Sequence, residues 1–357
     1  MAANFLKVYG VILWASIVLA NCPSSFLAGQ RVIYSYTGLT PPEQLLNLTR
    51  QGKVGGIILF LDNIGSSTKT AIADIQAAYA SAPCSVSGAP LLIMTDQEGG
   101  EVRRITNGGP FLSAKEMGES ANPAAAGATG GTQAAEALIP YGINTNLAPV
   151  LDVYREPGNF IDEYQRSFGN TSALVAECAA PFISAQQARG VIATSKHFPG
   201  LGAAATSEDT DVEPVTLNLT LNELRSIDEA PYKAAIAAGV KMVMASWALY
   251  PALDDGYPSG LSKKWIQGEL RDRLGFTGVT VTDALEAGAL KSFGDTNKRA
   301  VLAANAGVDL ILAASQDVAQ GEAAVEALAE AYDAGTLAKA EFEDATQRVL
   351  NLRKFLK

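Results

Sequence analysis

One stretch of the chain concentrates more reactive groups than any other. It runs Lys196-His197-Phe198-Pro199-Gly200-Leu201-Gly202 and continues to Ser207-Glu208-Asp209-Thr210-Asp211. Within sixteen residues it holds an ammonium group, the chain's single histidine, a glycine-rich bend and three carboxylates. The β-branched run Val191-Ile192-Ala193-Thr194 leads into it, so these groups sit where a strand opens into a loop. A lone histidine more often completes a buried network than does chemistry, and it is the company of this one that gives it a functional reading. Other apolar runs also end in polar residues: Asp62-Asn63, Asp96-Gln97-Glu98 on to Arg103-Arg104, Asp152 followed by Arg166, Ser246-Trp247, and Thr282-Asp283. A helix cap or a salt bridge explains any one of these. So many together point to a shared site.

The chemistry that such a set suits is sugar recognition. Carboxylates and forked arginine donors chelate neighbouring hydroxyls, and an aromatic such as Trp247 can cover an apolar ring face. There is no HExxH pair, no second histidine for a metal and no phosphate-cradling glycine loop, so no metal site and no cofactor are expected. A serine–histidine–aspartate triad would have to run through His197, and no GxSxG elbow accompanies it.

Positioning these groups requires a repeated scaffold. Short apolar runs recur at residues 31–36, 56–60, 91–96, 143–149, 191–197, 241–247, 278–283 and 310–314. Helix-like, alanine-rich stretches lie between them, at 67–79, 124–138, 173–188, 221–238 and 263–274, and a last one spans 339 to about 355. Continuous apolar runs, rather than alternating ones, indicate parallel strands buried on both faces. Eight strand–helix units predict an α/β fold of the closed (β/α)8 barrel type, a single domain over residues 31–357 with nothing after it. An open doubly wound sheet is the competing reading, but its glycine fingerprint is missing after the first run, where Tyr34-Ser35-Tyr36-Thr37-Gly38 stands.

The chain has 357 residues, 48% of them hydrophobic, and a net charge of −10. That allows a large core and argues against nucleic acid or an anionic membrane as partner. Residues 8–20 are uncharged and follow Lys7, a length that suits the apolar part of a signal peptide better than a membrane span. A leader over residues 1–20, with about 28 as its outer limit, predicts a secreted protein with no stable membrane insertion after processing. Lipid anchoring at Cys22 is the lesser reading, because Asn21 fits a lipoprotein box poorly. Of the three cysteines, Cys22, Cys84 and Cys178, the last two could pair in an oxidising compartment. Glycosylation sequons at Asn47, Asn170 and Asn218 are a weak signal, because the pattern is short. Oligomeric state is left open.

Taken together, the motifs resemble glycoside hydrolase family 3, in its single-domain β-N-acetylglucosaminidase branch. The matching pieces are Gly55-Gly56-Ile57-Ile58-Leu59-Phe60, Asp96-Gln97-Glu98-Gly99-Gly100 with Arg104, Leu147-Ala148-Pro149-Val150-Leu151-Asp152, Arg166-Ser167-Phe168, Lys196-His197-Phe198-Pro199-Gly200, and Leu274-Gly275-Phe276-Thr277-Gly278-Val279 leading to Asp283. The resemblance implies a retaining glycosidase in which Asp283 is the nucleophile. Asp96, Arg104, Arg166, Lys196 and His197 would hold the sugar, with Lys196 and Arg166 keeping Asp283 ionised. One departure stands out. Where that branch carries an Asp-x-His acid/base pair, this chain has Ser207 and Asp209. Asp209 is then the expected replacement acid and Glu208 the second candidate. Loss of the pair leaves two other outcomes open: a carbohydrate-binding relative without catalysis, or a phosphorylase using phosphate in place of water.

Overall fold

The structure, a computed structural model, describes residues 22–85 and 89–356. The expected leader over residues 1–20 lies outside these residues. All eight apolar runs form strands of one closed, wholly parallel barrel: β1 (Val32–Tyr34), β2 (Gly56–Ile58), β3 (Leu92–Thr95), β6 (Thr145–Asn146), β7 (Ile192–Phe198), β8 (Met242–Ala245), β9 (Val279–Ala284) and β10 (Leu310–Leu312). β1 pairs with both β2 and β10 and so closes the ring. Two short strands not expected from the sequence, β4 (Gln97–Gly99) and β5 (Val102–Arg103), form an antiparallel ribbon over the end of β3.

Side chains alternate along a strand, so every second residue faces the barrel axis. Leu92 and Met94 of β3, Met242 and Met244 of β8, and Val279 and Val281 of β9 belong to one buried inner cluster. Their neighbours Ile93 and Val243 instead join the clusters packed under the helices. Helices form where the sequence marks a start. Asn122, Thr171 and Asp295 accept the backbone N–H of Ala125, Leu174 and Lys298, capping Pro123–Leu138, Ser172–Ala188 and Thr296–Ala306.

Further details differ from the sequence reading, among them the π geometry of Lys264–Arg273 within the helix expected at 263–274. The helix expected at 221–238 is interrupted: Leu221–Glu223 is α-helical, Leu224–Asp228 has π geometry and Ala230–Ala237 resumes the α-helix. Pro231 has no N–H to donate, so the ladder breaks there, and the proline sits in the first turn of the resumed helix, where that N–H would be unpaired in any case. The disulfide joins Cys22 to Cys84, not Cys84 to Cys178, with Cα atoms 6.2 Å apart. Cys178 is a buried thiol in the Ser172–Ala188 helix, where its backbone packs against Gly127, and burial pushes its pKa up to about 12.

The C-terminal helix, Lys339–Arg353, closes the N-terminal end of the barrel. Val349, Leu352 and Leu356 join the inner cluster from below. The buried Arg353 donates to the Gln30 Oε1 at 2.7 Å, to the Tyr79 hydroxyl at 3.0 Å and to the Gly55 carbonyl. With that end stopped, the open end is the one where the strands finish.

Candidate active site

At the carboxyl ends of the strands lies a cleft of about 580 Å³, the face on which barrel chemistry is built. Ile58, Leu147, Met244 and Leu312 form its floor, and charged groups rise around them. The two-residue period explains which ones. Asp96 continues the inward series of Leu92 and Met94, Lys196 that of Ile192, and Asp283 that of Val279 and Val281. His197 also reaches the cleft, because the pairing of β7 with β8 shifts register between Ser195 and Phe198, where the Lys196–His197 peptide is cis. Gly200 follows at φ 153°, with Asp228 so close that a Cβ would stand 2.7 Å from it, so this bend admits only glycine.

Lys196 Nζ sits 2.7 Å from Asp96 and 2.8 Å from Glu98. Arg166 grips Glu98 with two hydrogen bonds of 2.9 Å, and Arg104 stands 3.6 Å from Asp96. Burial alone would push the Glu98 carboxyl up, but the charges of Arg166 and Lys196 outweigh it and hold it well below the usual carboxylate range. The same balance, set by Lys196 and then Arg104, lowers Asp96. Lys196, for which burial would favour the neutral amine, is raised by Asp96 and Glu98. His197 Nδ1 lies 2.7 Å from Asp152, whose other oxygen accepts the backbone N–H of His197 at 3.2 Å and of Leu201 at 2.7 Å. Asp152 thereby fixes the imidazole and the bend after it, leaving Nε2 for a ligand. Asp283 Oδ1 accepts the N–H of Ala284 at 2.8 Å, which leaves Oδ2 to the cleft.

The structure thus brings Asp96, Arg104, Arg166, Lys196, His197, Asp209 and Asp283 to one cleft. Two expected members are not there. Trp247 is 1% exposed and off the cleft wall; its Nε1 donates to the Ala284 carbonyl at 2.8 Å. On β8 the inward residues are even-numbered, so 247 falls on the outer side. The aromatic walls are Phe60, Phe160 and Tyr164 instead. Glu208 accepts the N–H of Ala205 at 2.7 Å, closing its own turn away from the cleft. Lys196 and Arg166 form their ion pairs with Asp96 and Glu98, and among the described residues none joins either to Asp283. Glu98, Asp152, Asp211 and Glu286 are the contributors the sequence reading left without a role. Glu98 and Asp152 stood within quoted motifs, and the charge pairing that reveals them is long-range. Among the described residues no group of three or more His, Cys, Asp or Glu is arranged to hold a metal ion.

A closed parallel barrel with a cleft of carboxylates, cationic groups and aromatic walls at its strand ends has the build of a barrel enzyme. The sequence profile described as "Glycosyl hydrolase family 3 N terminal domain" matches residues 32–352. The chain belongs to glycosyl hydrolase family 3. A protein of Arthroderma benhamiae named a secreted glycosyl hydrolase is 51% identical over 329 residues, 92% of this chain and 93% of that one. A β-hexosaminidase of Nitrosomonas eutropha is 35% identical over 266 residues, 72% of this chain and 73% of its own length. The solved family 3 β-N-acetylglucosaminidase from Paenibacillus sp. superposes with a TM-score of 0.86 at 35% identity, covering 92% of this chain. This chain spans only 62% of that structure.

Proposed function

We propose that this glycoside hydrolase, of β-N-acetylglucosaminidase type, removes terminal β-linked N-acetylglucosamine with retention of configuration, through a glycosyl-enzyme on Asp283. The observation that carries this reading is the position of Asp283. It continues the inward face of β9 into a cleft whose Asp96, Lys196, Glu98, Arg166 and His197 can take up sugar hydroxyls. One carboxylate oxygen is held by the Ala284 N–H, and the other can attack the anomeric carbon.

An activated fluorinated N-acetylglucosaminide, which forms the glycosyl-enzyme faster than water opens it, should add one fluorosugar to the Asp283 peptide. Turnover without any label, or a label on another residue, rejects the assignment. Asp283→Ala should lower turnover by several orders of magnitude and leave sugar affinity within roughly tenfold, because the nucleophile acts mainly in the transition state. A nitrophenyl glycoside screen with and without phosphate separates the other outcomes. Phosphate-dependent release of a sugar 1-phosphate would mark a phosphorylase, and binding without turnover a lectin-like relative.

Export belongs to the same reading. The Cys22–Cys84 disulfide suits an oxidising compartment, and the Arthroderma relative is named a secreted protein. Among the described residues no helix is long and apolar enough to cross a membrane. A sulfur engaged in a disulfide cannot also carry a thioether-linked lipid, so anchoring through Cys22 and this bond exclude one another. Secreted material whose N-terminal sequence begins at Met1 would refute cleavage after Ala20.

A further inference from the structure

We infer that Asp211 is the general acid/base, carried on a loop clamped to the segment that follows the nucleophile strand, and that it replaces the missing Asp-x-His pair. The inference rests on Asp283 being the nucleophile.

Six carboxylates line the cleft: Asp96, Glu98, Asp209, Asp211, Asp283 and Glu286. Asp96 and Glu98 are neutralised by Lys196, Arg104 and Arg166, which suits them to accept hydroxyl protons and not to donate one. Glu286 accepts hydrogen bonds from the Ala314 N–H at 3.2 Å and Gln320 Nε2 at 3.1 Å. Asp209 accepts the Asp211 N–H at 2.8 Å, and its own carbonyl accepts from Val212 and Glu213, so it builds the turn. Asp211 is different. Among the described residues its carboxylate has no hydrogen bond or ion pair, yet it stands on the cleft wall with Asp283.

Its backbone, by contrast, is fixed. Gly288 N–H donates to the Asp211 carbonyl at 2.7 Å and Ala289 N–H to the Thr210 carbonyl at 3.0 Å. Lys291 Nζ reaches the Val212 carbonyl at 3.3 Å. Gly288 lies so close that a Cβ there would stand 1.9 Å from the Val212 oxygen. Five residues after Asp283, the same segment therefore sets where Asp211 stands. A free carboxyl on a fixed backbone, beside the nucleophile, is what proton delivery to a leaving oxygen requires.

The surroundings also keep the proton available. Enclosure by the cleft walls, then the charge of Asp283, then that of Asp209, raise the Asp211 pKa to about 6. The charges of His197 and Arg166, which line the same cleft, pull part of the way back. In the first step the Asp211 proton passes to the glycosidic oxygen as the bond from that oxygen to the anomeric carbon breaks and Asp283 bonds to the carbon. In the second step Asp211 takes a proton from water, the water oxygen bonds to the carbon, and Asp283 leaves as carboxylate.

The test compares Asp211→Ala, Asp209→Ala and Glu286→Gln on a natural disaccharide and on a dinitrophenyl glycoside, with and without azide. For Asp211→Ala, disaccharide cleavage should fall ~10²–10⁴-fold. Formation of the glycosyl-enzyme from the dinitrophenyl substrate should change by less than about tenfold, with the Asp283 adduct accumulating. Azide should restore turnover and give a β-glycosyl azide. The fall in parental kcat/KM for the disaccharide as pH rises through about 6 should be absent from the residual disaccharide activity of Asp211→Ala. For Glu286→Gln any defect should be equal on both substrates and unmoved by azide; Asp209→Ala, which loosens the turn that holds Asp211, should impair the disaccharide more than the dinitrophenyl substrate but gain nothing from azide. If the leaving-group dependence and azide rescue appear in Asp209→Ala or Glu286→Gln instead, the inference is overturned. A uniform defect in Asp211→Ala overturns it as well. If the parent enzyme forms no adduct at Asp283, the nucleophile assignment fails first, whatever Asp211 does.

Discussion

Single side chains in this cleft act through what they neutralise. Glu98 is the clearest case, because two buried cations converge on it: Lys196 at 2.8 Å and Arg166 through a two-point grip. Replacing one partner of a buried pair strands the other charges, at a cost of about 3–5 kcal/mol. Glu98→Gln should therefore lower unfolding free energy by about 3 kcal/mol or more in a denaturant titration at neutral pH, and should raise KM as Arg166 loses its guide. The pH dependence has a definite sign. The folded-state pKa of Glu98 is depressed, so its stabilisation is complete above the ordinary value of 4.5 and is lost as pH falls toward the lower folded value. The variant should consequently lose less stability than the parent on going from pH 5 to pH 3. Trp247 teaches the complementary lesson. Its chemistry suits a sugar face, but the strand period turns it outward, and its indole instead holds the carbonyl of Ala284, next to Asp283.

At the scale of elements, the loop that carries Asp211 and the segment after β9 behave as one unit. Gly288→Ala should push the loop off its seat, since the added methyl would meet the Val212 carbonyl. Disaccharide turnover should then fall more than dinitrophenyl glycoside turnover, with KM for both changing little; equal losses on both would show that the clamp does not serve proton delivery. This clamp also marks the limit of what the sequence discloses. All eight strands were legible because continuous apolar runs can be satisfied only by burial on both faces. Asp96, Lys196 and Asp283 were legible because they extend those runs. Which of the two loop acids in the cleft keeps its carboxylate free was not legible. It depends on Asp209 folding back onto the Asp211 N–H and on Gly288 approaching from the segment after β9, far along the chain. The ribbon of β4 and β5 was missed for a similar reason: Gln97-Glu98-Gly99 has no strand-like composition, and it pairs because the bend at Gly99 and Gly100 returns the chain on itself.

For the molecule as a whole, two devices hold the beginning of the described chain to the barrel. The Cys22–Cys84 bond closes a loop with a sequence separation of 62, which stabilises by about 4 kcal/mol on the chain-entropy account. Cys22→Ser should lower the unfolding free energy by up to that amount, and a reductant should do the same to the parent but not to the variant. The second device is the buried Arg353, which ties the C-terminal helix to Gln30 and Tyr79. Both matter because of how the ring closes. β1 has β10 as a neighbour, and the Ser35 hydroxyl reaches the Ala313 carbonyl across a sequence separation of 278. During synthesis, then, the first strand emerges long before its partner exists and presents an open hydrogen-bonding edge for all of that time. Such an edge invites pairing with other nascent chains. The residues of the early cystine loop, which contains β1, β2 and the helices beside them, can gather locally while the edge waits. The molecule is therefore most exposed to misassembly as an unfinished ribbon, and a chaperone that shields it would have to hold on until β10 appears.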